Sequence, residues 1–321
     1  MNSIISKVKR AFERRAATRS GIIDWKNERT YKLWFEEPDA LARVPEIADR
    51  WGLSSDERDL LSKWVTDGYF TMPDVFGLAD LEAYASEVDS AWFADKAIDG
   101  LTISDVIVDG VKTTHMPHSD LLALPRETRS QAREESNWRI GEFHLYNQAA
   151  AKIFRNKQAI RICSALLDRA AVPHFSLTFS KGSMQLLHQD TCVFHTWPMN
   201  ALIGVWVALE DIKPGSGPLV YFPKSHREPL FSEFDNYPQT QRRTSPPEQS
   251  DRYQEYIEQV ASKYERNEFL AKKGEVLFWH GMLVHGGADY VAPGSTRKSF
   301  VIHYMPEGGN VAHRVQGPFN W

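Results

Sequence analysis

Cysteine is nearly absent: Cys163 and Cys192 are the only two among 321 residues. Two thiols cannot staple a small scaffold, and neither lies in a C-x-x-C pair. A disulfide framework and a thioredoxin-like redox motif are therefore excluded. A reducing compartment, and with it a cytoplasmic location, is the expectation. Long apolar runs are missing too, since no stretch approaches the roughly 18 consecutive apolar residues of a membrane-spanning helix. No internal repeat is visible. Nor is there a basic surplus, because 38 Lys and Arg against 42 Asp and Glu leave a net charge of −4. That balance argues against nucleic-acid binding, which favours a basic face.

Aromatic residues are plentiful. They make up 12% of the chain, with 10 Trp and 17 Phe, which suits a β-rich core around an enclosed pocket. At the N-terminus Lys7, Lys9, Arg10, Arg14, Arg15 and Arg19 interleave with Ile4, Ile5, Val8 and Phe12. This basic amphipathic stretch is either a solvated helix packed on the domain or a segment that touches a membrane surface. It lacks the apolar centre of a secretory signal.

Residues 1–53 read as a charged helical extension without a clear core pattern. Ser54 and Glu57 have capping-box spacing, and Leu60, Leu61, Trp64 and Val65 then recur at helical period until Gly68. The segment 68–76 reads as a short strand, and Leu81, Tyr84, Ala85 and Val88 mark another helix. Asp109-Gly110 between alternating residues is a hairpin signal. Helical patterns return over about 148–170. From residue 174 the chain turns to strands: Phe175, Leu177 and Phe179 alternate, and 201–211, 217–223, 274–280 and 298–305 are apolar runs separated by Gly and Pro. The stretch 229–270 interrupts this series with a Pro-rich part (Pro238, Pro246, Pro247), then a helical pattern at Tyr253, Ile257, Val260 and Tyr264. The expected fold is mainly β with flanking helices, a double-stranded β-helix of jelly-roll, cupin-like type. Residues 54–321 form its domain, 1–53 the N-terminal extension, and 229–270 an insertion that is a candidate lid.

Within this frame stands His188-Gln189-Asp190, with His285 and Arg297 far downstream. Two imidazoles and one carboxylate offer a divalent metal three ligands and leave other positions open, the 2-His-1-carboxylate pattern of non-haem Fe(II) oxygenases. If 184–190 is a strand, the period of two places His188 and Asp190 on one face. Arg297, Ser299, Val301 and His303 share a face by the same argument. A buried Arg297 would need an anionic partner. It either binds a carboxylate co-substrate, with Ser299 adding a hydroxyl, or pairs with a surface acid. His280 is the rival of His285 as distal ligand.

Other histidines are weighed as well. His195 is a candidate substrate contact at the pocket mouth, whereas His115, His118 and His144 read as structural. Trp206 and Phe222 read as core, and Lys224-Ser225-His226 as a turn. His303 either faces inward or packs on a neighbouring strand.

The combination of "LLHQD", "VWVALEDIKPGSGPLVYFPKSH", "GEVLFWHGMLVHGG" and "RKSFVIHY" resembles the phytanoyl-CoA dioxygenase family of iron- and 2-oxoglutarate-dependent oxygenases. "DGYFTMPDVFGLADLEAY" (67–84) is similar to the family's N-terminal entry. The resemblance implies that His188, Asp190 and His285 hold Fe(II), and that Arg297, with Ser299 as a second contact, anchors 2-oxoglutarate. It further implies that O2 and the oxo acid are consumed to give succinate and CO2 while a small organic substrate is hydroxylated. The Gly286-Gly287 pair after His285 matches the family pattern and favours His285 over His280. Related halogenases carry a small residue in place of the carboxylate, so Asp190 implies hydroxylation. A zinc-dependent hydrolase or isomerase on the same scaffold and a non-catalytic cupin-like binding protein are the alternatives.

Overall fold

The computed structural model describes residues 33–194, 196–234, 245–292 and 294–311. The basic stretch at residues 4–19 and Pro238 lie outside the described residues. A 3-10 turn (Trp34–Glu36) leads into α1 (Ala40–Arg50). Trp34, Phe35, Val44 and Ile47 are buried, so the end of the extension does have a core face. Two of the four buried positions of α1 are alanines, Ala40 and Ala48, which blurred the apolar pattern. Next comes α2 (Ser55–Asp67), opened by the Ser54–Glu57 capping box and closed by Gly68 at φ 78°. That is the left-handed stop which glycine adopts without a Cβ clash.

The chain continues through β1 (Tyr69–Met72), α3 (Leu78–Ala91), β2 (Thr102–Val108), β3 (Val111–Pro117), α4 (His118–Ala123) and α5 (Arg126–Glu135). The β2–β3 turn uses positive φ at both Asp109 (49°) and Gly110 (76°), as a primed hairpin turn requires. Then follow β4 (Arg139–Gly141), α6 (Gln148–Phe154), α7 (Lys157–Leu167), β5 (Ala171–Phe179), β6 (Thr196–Trp197), β7 (Ile203–Ala208) and β8 (Leu219–Tyr221). The last elements are α8 (Pro247–Ala261), β9 (Asn267–Phe269), β10 (Val276–His280), β11 (His285–Gly287), β12 (Ser299–Pro306) and β13 (Asn310–Val311).

Eight strands form one sheet in the order β1-β10-β7-β12-β5-β4-β2-β3, and β11-β8-β9 form a second. The outer face of the large sheet, with Val205, Val207, Phe278, Phe300 and Ile302, packs on helices through Ile47, Trp64, Leu81 and Ile162. Its inner face, with Phe179, Trp206, Trp279 and Val301, meets Leu219, Tyr221 and Phe269 of the small sheet. Val220 and Phe222 on the far side of that sheet pack on Tyr253, Ile257 and Val260 of α8. The layers are therefore helices, large sheet, small sheet, helix. This explains why every residue of β7 is buried: both of its faces are covered.

The architecture is a mixed α/β fold with a core sheet and flanking helices, so the mainly-β expectation understated the helices. Among the described residues the two sheets do not close into a barrel. The stretch expected as a strand at 184–190 is irregular, touching β11 through one isolated bridge, His188 to His285. Met184 there adopts φ 46°, which breaks an extended run.

Glu142, just after β4, is buried and accepts a 2.8 Å bond from the Ser176 backbone N–H. Burial pushes its carboxyl up to about 8. A raised folded pKa means that the protonated group favours the fold at low pH, and that this contribution is lost as pH climbs through the folded value. Glu142→Gln, which stays neutral, is expected to melt higher than the native chain near pH 9 and to match it near pH 5. Thermal melts at both pH values check this, and an equal difference at both would contradict it.

Candidate metal centre

The site lies between the sheets. His188 and Asp190 come from the linker after β5, Asp190 opening a short 3-10 turn (Asp190–Cys192), and His285 begins β11. His188 and His285 exchange both backbone hydrogen bonds, at 2.9 and 3.0 Å. Their juxtaposition thus comes from a local ladder pair instead of the strand face expected from His-x-Asp spacing. Gly286 and Gly287 make the pair fit. A Cβ at Gly286 would come 2.9 Å from the Gln185 carbonyl oxygen, and one at Gly287 would come 2.7 Å from the Met184 nitrogen. The H-G-G run is therefore a steric condition for the 184–187 linker to lie against β11.

Each imidazole is turned by its own backbone. His188 Nδ1 donates to the Leu186 carbonyl at 2.8 Å, and His285 Nδ1 donates to the Leu283 carbonyl at 2.9 Å. With the proton committed there, each Nε2 presents a lone pair inward. Asp190 Oδ1 sits 3.6 Å from His188 Nε2 and 3.7 Å from His285 Nε2. All three groups are buried, and their ligand atoms lie within 4.8 Å of one another. Ligand atoms at right angles around an ion with ~2.1 Å bonds stand about 3 Å apart, so a small contraction would close the set on a divalent cation. Three inward lone pairs with no proton between them match such an ion and little else.

Electrostatics agree. Burial alone would raise the Asp190 carboxyl, but the neighbouring imidazoles and hydrogen bonds outweigh it and hold the group well below the usual carboxylate range. Burial pulls His285 down to about 4, keeping it neutral and able to ligate.

Arg297 is 2% exposed, with its Cζ 5.4 Å from the Phe179 ring centroid and 5.5 Å from that of Trp206. Its Nη2 donates to the Lys181 carbonyl at 3.2 Å, and burial draws its pKa down to about 10. Among the described residues no carboxylate forms an ion pair with it, and its Nε and the hydroxyl of buried Ser299 have no hydrogen-bond partner. Glu210 acts on it electrostatically without forming an ion pair, and a buried guanidinium so weakly compensated is costly.

His280 points elsewhere, packed edge-on against Phe35 and beside Trp64, so His285 and not its rival joins the cluster. His195 lies outside the described residues. His118 bonds the Ala91 carbonyl and the Ile98 amide, and His144 bonds Ser176. His115 bonds the Ser104 hydroxyl at 3.2 Å. Phe222 is core, while Trp206 is core and also walls the guanidinium.

Sequence reasoning missed Trp279 and Tyr253. Trp279 Nε1 donates to Asp190 Oδ2 at 2.8 Å. The Tyr253 hydroxyl, from α8, accepts the Gln189 backbone N–H at 3.1 Å. His303 does face inward, and its Nε2 meets Asp190 Oδ2 at 3.0 Å.

Comparison with known proteins places this site in context. The family model for phytanoyl-CoA dioxygenase (PhyH) matches residues 64–299. The chain belongs to the phytanoyl-CoA dioxygenase family. It is 27% identical over 197 residues to phytanoyl-CoA dioxygenase domain-containing protein 1 of Danio rerio, a match covering 59% of this chain and 62% of that one. It is 31% identical over 128 residues to peroxisomal phytanoyl-CoA dioxygenase of Bos taurus, covering 39% of this chain and 34% of that one. The match thus spans less than two thirds of either relative. Among solved structures, the fold resembles the carbocyclase SnoK from nogalamycin biosynthesis (TM-score 0.58, 15% identity, 82% of this chain and 88% of that one). It also resembles EctD from S. alaskensis with 2-oxoglutarate and 5-hydroxyectoine (TM-score 0.57, 20% identity, 84% and 82%).

The cytoplasmic expectation is corrected by these comparisons. The matching bovine, rat, human and mouse dioxygenases are named peroxisomal. Cys163 and Cys192 are both buried, and scarce thiols report redox conditions without specifying an organelle. Among the described residues no helix is long and apolar enough to cross a membrane.

Each fully buried Leu, Ile or Phe contributes about 1.5–3 kcal/mol, and the three apolar clusters hold dozens of side chains, so the fold does not depend on a metal. His285→Ala is expected to leave metal-free folding intact and to abolish stabilisation by Mn(II), which for the native chain at 100 times its Kd is about 2.7 kcal/mol. Thermal melts with and without Mn(II) measure this. Equal stabilisation of both proteins would contradict the ligand assignment.

Proposed function

We propose that this protein is an Fe(II)- and 2-oxoglutarate-dependent dioxygenase that hydroxylates a small organic substrate. The observation that carries this reading is the pairing of two features on the inner face of the large sheet: three inward lone pairs, and a buried guanidinium with no ion-pair partner among the described residues. The first suits a divalent metal and the second a carboxylate ligand. A zinc hydrolase or a binding protein of this shape has no use for the second.

In this reading His188, Asp190 and His285 hold the iron, and Arg297 with the free Ser299 hydroxyl takes the distal carboxylate of 2-oxoglutarate. When bound, iron with 2-oxoglutarate and O2 supplies the oxidising power: one oxygen atom enters the substrate C–H bond, and the other leaves in succinate beside CO2. The chain's own contribution is positional. Phe179 and Trp206 keep water from Arg297, which strengthens its hold on an anion. The backbone carbonyls of Leu186 and Leu283 fix both imidazole tautomers.

The sheets form a double-stranded β-helix in this reading. Its domain spans 54–321, with 1–53 as an N-terminal extension. The 229–270 insertion borders the site as a lid whose root, α8, is held by buried Tyr253, Ile257 and Val260.

A metabolite screen under air is expected to find substrates that stimulate succinate and CO2 release in strict dependence on added iron. Arg297→Ala is expected to raise the 2-oxoglutarate requirement about 10- to 100-fold, as loss of a charged hydrogen-bond donor predicts. Turnover without iron, or an unchanged co-substrate requirement in the variant, would sink the proposal.

A further inference from the structure

The two oxygens of Asp190 face different worlds. Oδ1 looks toward both histidine Nε2 atoms. Oδ2 points away from them and receives two N–H donors, Trp279 Nε1 at 2.8 Å and His303 Nε2 at 3.0 Å. Both donors are nearly inaccessible, at 2% and 4% exposed.

These donors are not neighbours in sequence, but the sheet register brings them together. Trp279 of β10 and His303 of β12 both pair with Gly204 of β7. The three residues thus form one row across the inner face, with the glycine between the donors. A Cβ at Gly204 would lie 2.1 Å from the Trp279 indole, so the indole occupies the space that any other residue would fill. A glycine inside a fully buried strand weakens it unless something approaches closely, and here the indole does. Of the other groups near His303, His174 interacts with it electrostatically. The His303 ring stacks beside Phe175 and Phe194, and its buried Nδ1 has no partner among the described residues. Asp190 is therefore the one hydrogen-bond partner of His303 among the described residues.

We infer that Trp279 and His303, made possible by Gly204, are positioning residues that clamp Asp190 Oδ2, so that the carboxylate offers a metal one oxygen only. This rests on the metal reading above and extends it to residues outside the ligand set. Ligation through both oxygens would require breaking two buried hydrogen bonds, each to an ionised acceptor and hence among the stronger kind. Single-oxygen ligation keeps a coordination position open for the co-substrate or O2.

The test uses the full chain with Co(II), whose visible absorption reports coordination number. Trp279→Phe keeps an aromatic ring and removes the donor. Gly204→Ala displaces the indole while leaving Trp279 in place. His303→Leu removes the second donor, and His303→Gln restores an N–H. The first three are expected to bind Co(II) roughly 10- to 100-fold more weakly, the usual effect of losing a partner of a metal ligand, with an altered visible spectrum. His303→Gln is expected to recover most of both. Folded Trp279→Phe and His303→Leu proteins with native affinity and spectrum would overturn the clamp.

Should the variants fail to fold, the native chain decides. The Trp279 indole N–H in 15N-resolved NMR is expected to stay exchange-protected with and without Zn(II), and exposure on Zn(II) binding would overturn the clamp. Failure of the native chain to bind Co(II) or Zn(II) would instead overturn the metal reading itself.

Discussion

A buried carboxylate facing two imidazole lone pairs is the constraint on which the site depends. Asp190 could not stay ionised between the sheets without donors, because an isolated buried carboxylate costs far more than a domain's whole margin of stability. Two N–H groups behind it and two imidazoles in front are what make the arrangement tenable. Each demands something of the scaffold. The donors need a glycine in the middle of β7, and the imidazoles need carbonyls two residues upstream. The linker carrying His188 needs the two glycines of β11 to lie flat against it. Remove any of these and the three lone pairs no longer meet.

Arg297 poses a matching problem of opposite sign. It sits between two aromatic rings with a single backbone acceptor, beside a serine hydroxyl that also lacks a partner. A protein that needed only a core there would have used leucine. The inner face therefore carries a cation-demanding cluster and an anion-demanding one. Both lie on the inner face of the large sheet, the first beside Trp279 and His303 and the second beside Phe179 and Trp206.

Much of this was legible in the sequence. The capping box at Ser54, the Asp109-Gly110 turn and the apolar strands follow from local chemistry and period, whereas the grouping of His188, Asp190 and His285 came from the family resemblance. What escaped has physical reasons. His188 and Asp190 converge through a ladder pair and a 3-10 turn, and no strand period predicts such irregular backbone. The helix content was underestimated because short helices such as α1 bury alanines, which carry little apolar signal. Nothing in "VLFWHG" singles out Trp279 from its apolar strand neighbours. Its role depends on register with Gly204 and His303, which only the sheet order reveals. Tyr253 reaches the ligand segment from α8, across 64 residues of sequence, a contact no spacing rule encodes. Cellular address was misjudged because thiol scarcity reports redox state alone.

The most direct test is a crystal structure of the protein grown without oxygen in the presence of Mn(II) and 2-oxoglutarate. The account predicts one ion bonded to Nε2 of His188, Nε2 of His285 and a single oxygen of Asp190. It also predicts the distal carboxylate of the oxo acid resting on Arg297 and Ser299. An ion bound elsewhere, or a guanidinium at 297 with no anion against it, would contradict the account.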